Sequence, residues 1–190
     1  MKKIVIIAGL IICFSAPAFG GDRFFVSAGA AAVYPVDSSY RNFYGAIQFS
    51  PELKAGFNFF KGFYVWLGYS FFTSSYTIPV LLEEASCSQH FLALGAGWET
   101  RRGRRLQFDF FAAFILAEFR EKAMEETVSD FAPGMHVGAA VRYFMAKKIF
   151  LGAALSFSGA NMTLAETANS LGGSRLLGSL RLGVNLGLRF

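Results

Sequence analysis

The chain has 190 residues, of which 54% are hydrophobic and 16% charged, and its mean hydropathy is +0.41. This size suits a single domain, and the low share of charge indicates a membrane protein or an unusually apolar one. Beyond the N-terminus no run of about 18 uncharged apolar residues occurs, which excludes a membrane-spanning helix. The net charge is +5, but the basic residues are dispersed, so we predict no nucleic-acid binding.

The N-terminus has the pattern of a secretory signal peptide. Lys2 and Lys3 precede an apolar core at 4–14, and small residues then allow cleavage after Ala18 or Gly20. We predict that the first twenty residues are a cleaved signal and that 21–190 form the mature domain. Cleavage leaves 16 basic residues against 13 acidic ones, a net charge of +3.

The two cysteines indicate a fold without an internal disulfide. Cys13 falls within the predicted signal, so Cys87 remains alone in the mature chain. A lipoprotein signal at Cys13 is an alternative, but Ile12 stands where such signals carry a small residue. We therefore prefer the cleaved secretory signal.

Segments of alternating polarity follow one another along the mature chain, and each predicts a strand, because only a strand separates alternate residues onto two faces. Segments 24–34 and 63–75 are apolar or small on both faces, so their register is the least defined. The apolar faces of the next segments are Leu53, Ala55, Phe57 and Phe59; Leu92, Leu94, Ala96 and Trp98; Phe108, Phe110, Ala112, Phe114 and Leu116; Met135, Val137, Ala139, Val141 and Tyr143; Ile149, Leu151, Ala153, Leu155 and Phe157.

The last segment, 175–190, has the clearest alternation. One face is polar or small, with Leu177 as the exception. The apolar face consists of Leu176, Gly178, Leu180, Leu182, Val184, Leu186, Leu188 and Phe190. Together these segments predict about eight strands.

The predicted connections alternate between short and long. Tight, basic turns are expected at 61–62, 101–105 and 146–148, and long loops at 35–48, 76–88, 119–132 and 160–173. Outer-membrane barrels have short periplasmic turns and longer external loops. Because every backbone polar group in hydrocarbon needs a partner, an open sheet edge is excluded there. The sequence therefore predicts an all-β fold, a closed antiparallel transmembrane β-barrel with four long external loops.

The final residues, Leu186-Gly187-Leu188-Arg189-Phe190, resemble the terminal strand of bacterial outer-membrane barrels. In that family a final aromatic residue is part of the signal read by the barrel-assembly machinery, so the resemblance implies this role for Phe190. Leu188 departs from the pattern, since many members have an aromatic residue there. From about residue 23 onward the chain is similar to eight-stranded barrels of the opacity-protein and OmpA-transmembrane-domain type. We expect no peptidoglycan-binding domain of the full OmpA type.

From the charged residues on the inward side of the alternation we select Glu52, Lys54, Asp109, Arg142 and Arg181 as a candidate interior network. A charge facing lipid at mid-depth costs about 2–4 kcal/mol, which favours an inward orientation. They could line a gated ion path or form an ion-paired plug. We prefer the plug, because eight strands leave little room for water and buried charges need partners.

His90 and His136 are the only histidines and were considered as catalytic bases. The position two residues after His136 is Gly138, so a local His-x-Ser pair is missing. A Cys87–His90 nucleophile pair rests only on three-residue spacing. We assign no catalytic, cofactor-binding or metal-binding residues.

The leading hypothesis is an outer-membrane barrel with a structural or surface-interaction role, in envelope integrity or adhesion, through its external loops. The alternatives are a narrow channel or small porin, a barrel enzyme that modifies lipid A, and a soluble lipocalin-like barrel, which the Leu-rich face of 176–190 disfavours. The expected partners are outer-membrane lipids and lipopolysaccharide, the barrel-assembly machinery and a surface partner at the loops.

Overall fold

A computed structural model describes residues 23–78, 83–100, 105–123, 126–164 and 173–190. The predicted signal at 1–20 and the basic turn at 101–104 lie outside these residues. In the described ranges the elements are β1 Phe24–Pro35, α1 Ser38–Tyr44, β2 Gln48–Phe60, β3 Phe63–Ile78, β4 Glu83–Glu99, β5 Leu106–Ala123, β6 Glu126–Phe144, β7 Ile149–Leu164 and β8 Gly173–Arg189. None of the described helices is both long and apolar enough to cross a bilayer.

The eight strands form a closed barrel in which each strand pairs antiparallel with the next along the chain. The sheet closes where β1 meets β8, with Phe25 opposite Arg189 at one end of the seam and Pro35 opposite Ser179 at the other. Closure removes both sheet edges, as hydrocarbon requires. The predicted closed antiparallel barrel is confirmed.

The predicted alternation also holds. On β5, Gln107, Asp109, Phe111 and Ala113 are buried inside, while the intervening side chains are exposed on the outer wall. The two segments with undefined register are now placed. The inward side chains of these two strands are Phe25, Ser27, Ala31 and Val33 on β1, and Tyr64, Trp66, Ser70 and Phe72 on β3.

One end of the barrel, which we call the turn end, carries tight connections together with the start of β1 and the end of β8. The β2–β3 hairpin turns at Lys61 and Gly62, whose φ angles are 32° and 92°. Positive φ at both central residues matches the twist of antiparallel strands. Residues 145–148 connect β6 to β7 at the same end. The opposite end, which α1 covers, is here the cap end.

The loops at the cap end differ from the prediction in extent. The first, at 35–48, is a loop as predicted, and it contains α1. In the other three predicted loops the described residues are strand, namely 76–78 and 83–88, 119–123 and 126–132, and 160–164 with 173. Beyond the lipid-facing belt both faces of a strand can be polar, so the two-residue period disappears from the sequence. The hydrogen-bonded pairing of β3 with β4 nevertheless continues as far as Ile78 opposite Glu83.

The outer wall carries a continuous apolar belt. On β5 it runs from Leu106 to Leu116, and Phe114 leaves 76% of its surface exposed. Ten residue steps span about 33 Å along a strand, or about 25 Å at a tilt of about 40°, which is the height of the lipid-facing band of outer-membrane barrels. Soluble proteins rarely expose apolar patches on this scale. The belt is the surface of a transmembrane barrel.

Candidate functional site

The barrel interior is the candidate site, and all five charged residues predicted to face inward point into it. Asp109, Arg142 and Arg181 are almost fully buried, with 1%, 4% and 4% of their surface exposed, whereas Glu52 and Lys54 are half-buried. The structure does not join the five into one network. They form two ion-paired groups with Lys54 between them.

The group near the turn end centres on Arg142 and includes residues that the sequence analysis did not select. Arg142 Nε lies 2.6 Å from Asp109 Oδ2, and Arg142 Nη1 lies 3.3 Å from Glu99 Oε2. Arg189 Nη2 lies 2.6 Å from the same Glu99 oxygen and donates to Gln107 Oε1 at 3.4 Å. Glu99 and Arg189 occupy the inward positions of the two-residue alternation in β4 and β8, and this is the signal by which the sequence could have indicated them. Their contact depends on closure of the barrel, which brings the inner faces of β4 and β8 together.

The second group lies closer to the cap end and centres on Arg181. Its Nη2 lies 3.0 Å from Glu52 Oε1 and donates to Ser50 Oγ and Ser70 Oγ, each at 2.9 Å. Three acceptors from β2 and β3 therefore converge on one guanidinium nitrogen of β8. These contacts connect β8 through the interior with β2 and β3, which are two and three strands away around the barrel.

Lys54 lies between the two groups against aromatic rings. Its Nζ is 4.1 Å from the Trp66 ring centroid and 4.4 Å from that of Phe111. A cation on ring faces is stabilised by about 0.5–2 kcal/mol, depending on desolvation. Trp66 and Phe111 meet edge-to-face at 5.8 Å, so the cation rests on a fixed aromatic pair.

Aromatic side chains close the interior at the turn end. Phe25 and Tyr64 are fully buried and pack edge-to-face, with their ring centroids 5.5 Å apart. Phe144 and Phe150 form a second buried pair, also at 5.5 Å. The Arg142 guanidinium carbon lies 4.7 Å from the Phe25 ring centroid. Aromatic rings therefore occupy the interior at the turn end among the residues that the structure describes.

The helix α1 covers the interior at the cap end. Tyr40 OH lies 2.7 Å from Ser74 Oγ, and Tyr44 OH donates to Glu121 Oε1. The two tyrosine rings contact each other at 4.8 Å. Burial raises the pKa of both phenols above the ordinary value of about 10, so both remain neutral hydrogen-bonding groups at physiological pH. Cys87 is buried on the inner wall and is free.

Between the aromatic layer and α1 lies a small polar cavity of about 80 Å³, whose lining includes Glu52, Lys54, His136, Ser156 and Arg181. A cavity of this size holds a few water molecules. The aromatic layer of the turn end lies on one side of this cavity along the barrel axis, and the tyrosines of α1 lie on the other.

The histidines fall on opposite sides of the wall. His136 faces inward, and its Nδ1 lies 2.7 Å from Ser158 Oγ of β7, so a His–Ser contact exists across strands that the local sequence did not reveal. His90 faces outward, with Nδ1 2.7 Å from Tyr69 OH. Cys87 faces inward, because residues three positions apart on a strand point to different faces of the sheet. The considered Cys87–His90 pair is therefore wrong.

Phe190 lies at the seam of the barrel. Its N–H donates to Phe24 O at 2.7 Å, and Phe24 N–H donates to Phe190 O at 3.1 Å. This reciprocal pair fastens the end of β8 to the start of β1. Recognition of Phe190 by the barrel-assembly machinery stays a prediction. Among the described residues, no three His, Cys, Asp or Glu side chains are grouped to hold a metal ion.

Taken together, the closed sheet, apolar belt and filled interior define an eight-stranded transmembrane β-barrel of the outer-membrane type. Solved structures share this fold. Neisserial surface protein A covers 88% of this chain and 97% of its own at 14% identity and a TM-score of 0.66. Outer membrane protein OprG of Pseudomonas aeruginosa covers 90% and 96%, at 14% identity and a TM-score of 0.63. Ail of Yersinia pestis, in complex with the heparin analogue sucrose octasulfate, covers 88% and 98%, at 13% identity and a TM-score of 0.56.

At these identities the likeness shows the fold, which is that of small outer-membrane barrels. No protein-family model and no curated protein sequence matches the chain.

Proposed function

We propose that this protein is a non-conducting barrel of the bacterial outer membrane that acts as a structural or surface-interaction protein, contributing to envelope integrity or adhesion. The observation that carries the proposal is the interior occupied by packed and ion-paired side chains. Aromatic pairs pack at the turn end, ion pairs occupy the middle, and Tyr40 and Tyr44 lie across the cap end. With the interior occupied, the surface exposed above the belt is left for function.

The ion pairs support a structural role over conduction. Arg142 and Arg181 are buried, and each contacts a carboxylate within hydrogen-bonding distance. Moving ions past them would require breaking these contacts in a low-dielectric interior, where an unpaired charge is costly. The interior of an eight-stranded barrel is also just wide enough for side chains to fill.

The orientation of the His–Ser contact supports a non-enzymatic role towards lipid. His136 and Ser158 both point inward, and Ser158 is fully buried. An acyl chain of lipid A would lie against the outer wall, on the other side of the sheet. A nucleophile must come within about 3–3.5 Å of the reacting atom, so this arrangement is unsuitable for lipid acyl transfer.

Proteins with the same fold support the surface role by analogy. One is named a neisserial surface protein, and another is named an attachment invasion locus protein and was solved with a heparin analogue. Because fold alone does not define function, this supports the class of role and not its ligand.

Planar-bilayer recordings and cell assays test the proposal. The purified protein should show no discrete conductance, and cells lacking it should attach less or have a more permeable envelope. A variant with Gly-Ser replacements of equal length at 79–82, 124–125 and 165–172 should fold, shown by heat-modifiable gel migration, yet fail to restore attachment. Discrete channels whose ion selectivity changes in Arg181→Glu would overturn the proposal. So would a changed lipid A acyl pattern that His136→Ala abolishes.

A further inference from the structure

The outer wall changes character abruptly above the apolar belt on β3 to β6. The first row above it runs Phe71, His90, Glu118 and Phe131 across the four strands. Tyr69 lies one step lower, and its ring stacks near that of His90, with centroids 6.1 Å apart. Aromatic residues of this kind concentrate where hydrocarbon meets headgroups. This row therefore marks the outer border of the hydrocarbon.

Two rows above this border each contain one cation between hydroxyl side chains. The pairing register places Ser88 and Ser129 on either side of Arg120, and Ser86 and Thr127 on either side of Lys122. We call these the outer rows, and with β3 they comprise Thr73, Ser88, Arg120, Ser129, Ser75, Ser86, Lys122 and Thr127. Cross-strand neighbours have Cβ atoms about 4.5–5.5 Å apart, so each cation and its hydroxyls can contact one ligand together.

Among the strand residues whose side chains the structure describes, Arg120 and Lys122 are the only Lys or Arg that face outward at the cap end. Both are exposed. Successive rows are about 6.6 Å apart along a strand, or about 5 Å in height at the barrel tilt. Arg120 and Lys122 therefore lie about 5 and 10 Å above the hydrocarbon border, at the depth of lipid headgroups.

We propose that the outer rows bind the phosphate groups of lipopolysaccharide in the outer leaflet. Cations flanked by hydroxyl donors suit a phosphate, which accepts several charge-assisted hydrogen bonds at once. The short-turn rule makes the turn end periplasmic, so the cap end meets the outer leaflet. The side chains project sideways from the wall, towards neighbouring lipids. The occupant is therefore a lipid of the bilayer and not a soluble polyanion.

Glu118 is the carboxylate of the border row, just below the outer rows, and lies on β5 two residues before Arg120. Its negative charge disfavours a phosphate at the border itself and directs it to the rows above. Phe71 and Phe131 at the ends of the Glu118 row offer apolar contact to the upper acyl chains. The proposed site is thus apolar below and cationic above, like the lipid it binds. It does not depend on the proposed structural or adhesive role.

The test measures binding of bisphosphorylated lipid A to the full mature protein in phosphatidylcholine nanodiscs. Wild type should bind it more tightly than lipid A lacking both phosphates, and millimolar inorganic phosphate should not displace it. The double variant Arg120→Gln/Lys122→Gln should weaken binding about tenfold or more, since each basic side chain at a membrane surface contributes roughly a fivefold effect. A matched control, Lys147→Gln/Lys148→Gln, removes two exposed charges at the turn end and should bind like wild type.

Heat-modifiable gel migration confirms that both double variants are folded before binding is compared. Equal affinity of wild type and Arg120→Gln/Lys122→Gln for bisphosphorylated lipid A would overturn the proposal, as would indifference to the lipid phosphates. Loss of sucrose octasulfate binding in that variant, with lipid A binding intact, would instead assign the outer rows to a soluble polyanion.

Discussion

Two cations of the barrel interior converge on Glu99, so its removal tests the energetics of the closed interior. The side chain is fully buried, and its Oε2 lies 2.6 Å from Arg189 Nη2 and 3.3 Å from Arg142 Nη1. Glu99→Gln keeps the shape but removes the negative charge shared by two buried guanidinium groups. Removing one partner of a buried ion pair costs about 3–5 kcal/mol. The amide oxygen still accepts a hydrogen bond, so we expect the free energy of unfolding to fall by about 3 kcal/mol.

Urea titration of the protein in phospholipid vesicles, with the folded fraction measured by heat-modifiable gel migration, gives this free energy. The control is Glu52→Gln, which also loses a contact with an arginine but whose side chain is 34% exposed. Water can replace part of the lost interaction there, so we expect a loss of about 1 kcal/mol or less. Adding Arg189→Gln to Glu99→Gln should recover stability, because fewer buried charges remain unbalanced. Equal losses for Glu99→Gln and Glu52→Gln would refute the reasoning.

Three further predictions concern the seam and the cap. Gly29→Ala should reduce the folded fraction strongly, because the new methyl group would overlap the backbone of Val184 and Asn185, whereas Gly183→Ala should be tolerated because its nearest neighbours are 3.4–3.6 Å away. Cys87 should resist maleimide in the folded protein and react when Tyr40→Ala and Tyr44→Ala remove the cap, as followed by mass spectrometry. Because burial raises the pKa of Tyr40 and Tyr44, their ultraviolet phenolate signal should emerge at higher pH in the folded than in the unfolded protein.

Each of these predictions has its own control. Ser86→Cys lies on the exposed outer face of the same strand as Cys87 and should label with or without the cap. If Cys87 labels equally fast in the intact protein, the cap does not seal the interior. If Gly183→Ala impairs folding as much as Gly29→Ala, crowding at the seam is not the cause. Phenolate absorbance that rises at the same pH before and after unfolding would contradict the buried position of Tyr40 and Tyr44.

The sequence was sufficient for the fold because lipid imposes a simple rule on every strand. Leu182 faces lipid and its neighbour Arg181 faces the interior, and this two-residue period predicts both the strand and the orientation of its side chains. The rule stops at the belt. Arg120 and Lys122 were assigned to a loop because, once outside lipid, a strand loses its apolar face while keeping its hydrogen bonds.

The sequence predicts which charged side chains point into the barrel but not which side chains they contact there. Parity placed Asp109, Arg142 and Glu99 inside, yet which cation meets which carboxylate depends on the stagger of strands around the closed barrel. The contact of Tyr44 with Glu121 joins residues 77 positions apart and leaves no local pattern. The same holds for His136 and Ser158, which a search for neighbouring residues could not find.

The seam between β1 and β8 also constrains how the chain reaches its native state. The strands that close the cylinder are separated by most of the sequence, with Val26 opposite Leu188. Until β8 pairs with β1, every folding intermediate has two unpaired strand edges. The backbone N–H and C=O groups of these edges find no hydrogen-bond partner in lipid. Stepwise insertion of single hairpins is therefore disfavoured, and we expect the strands to insert in a concerted process. A chain truncated by a stop codon before β8 should be degraded and should not form a smaller barrel.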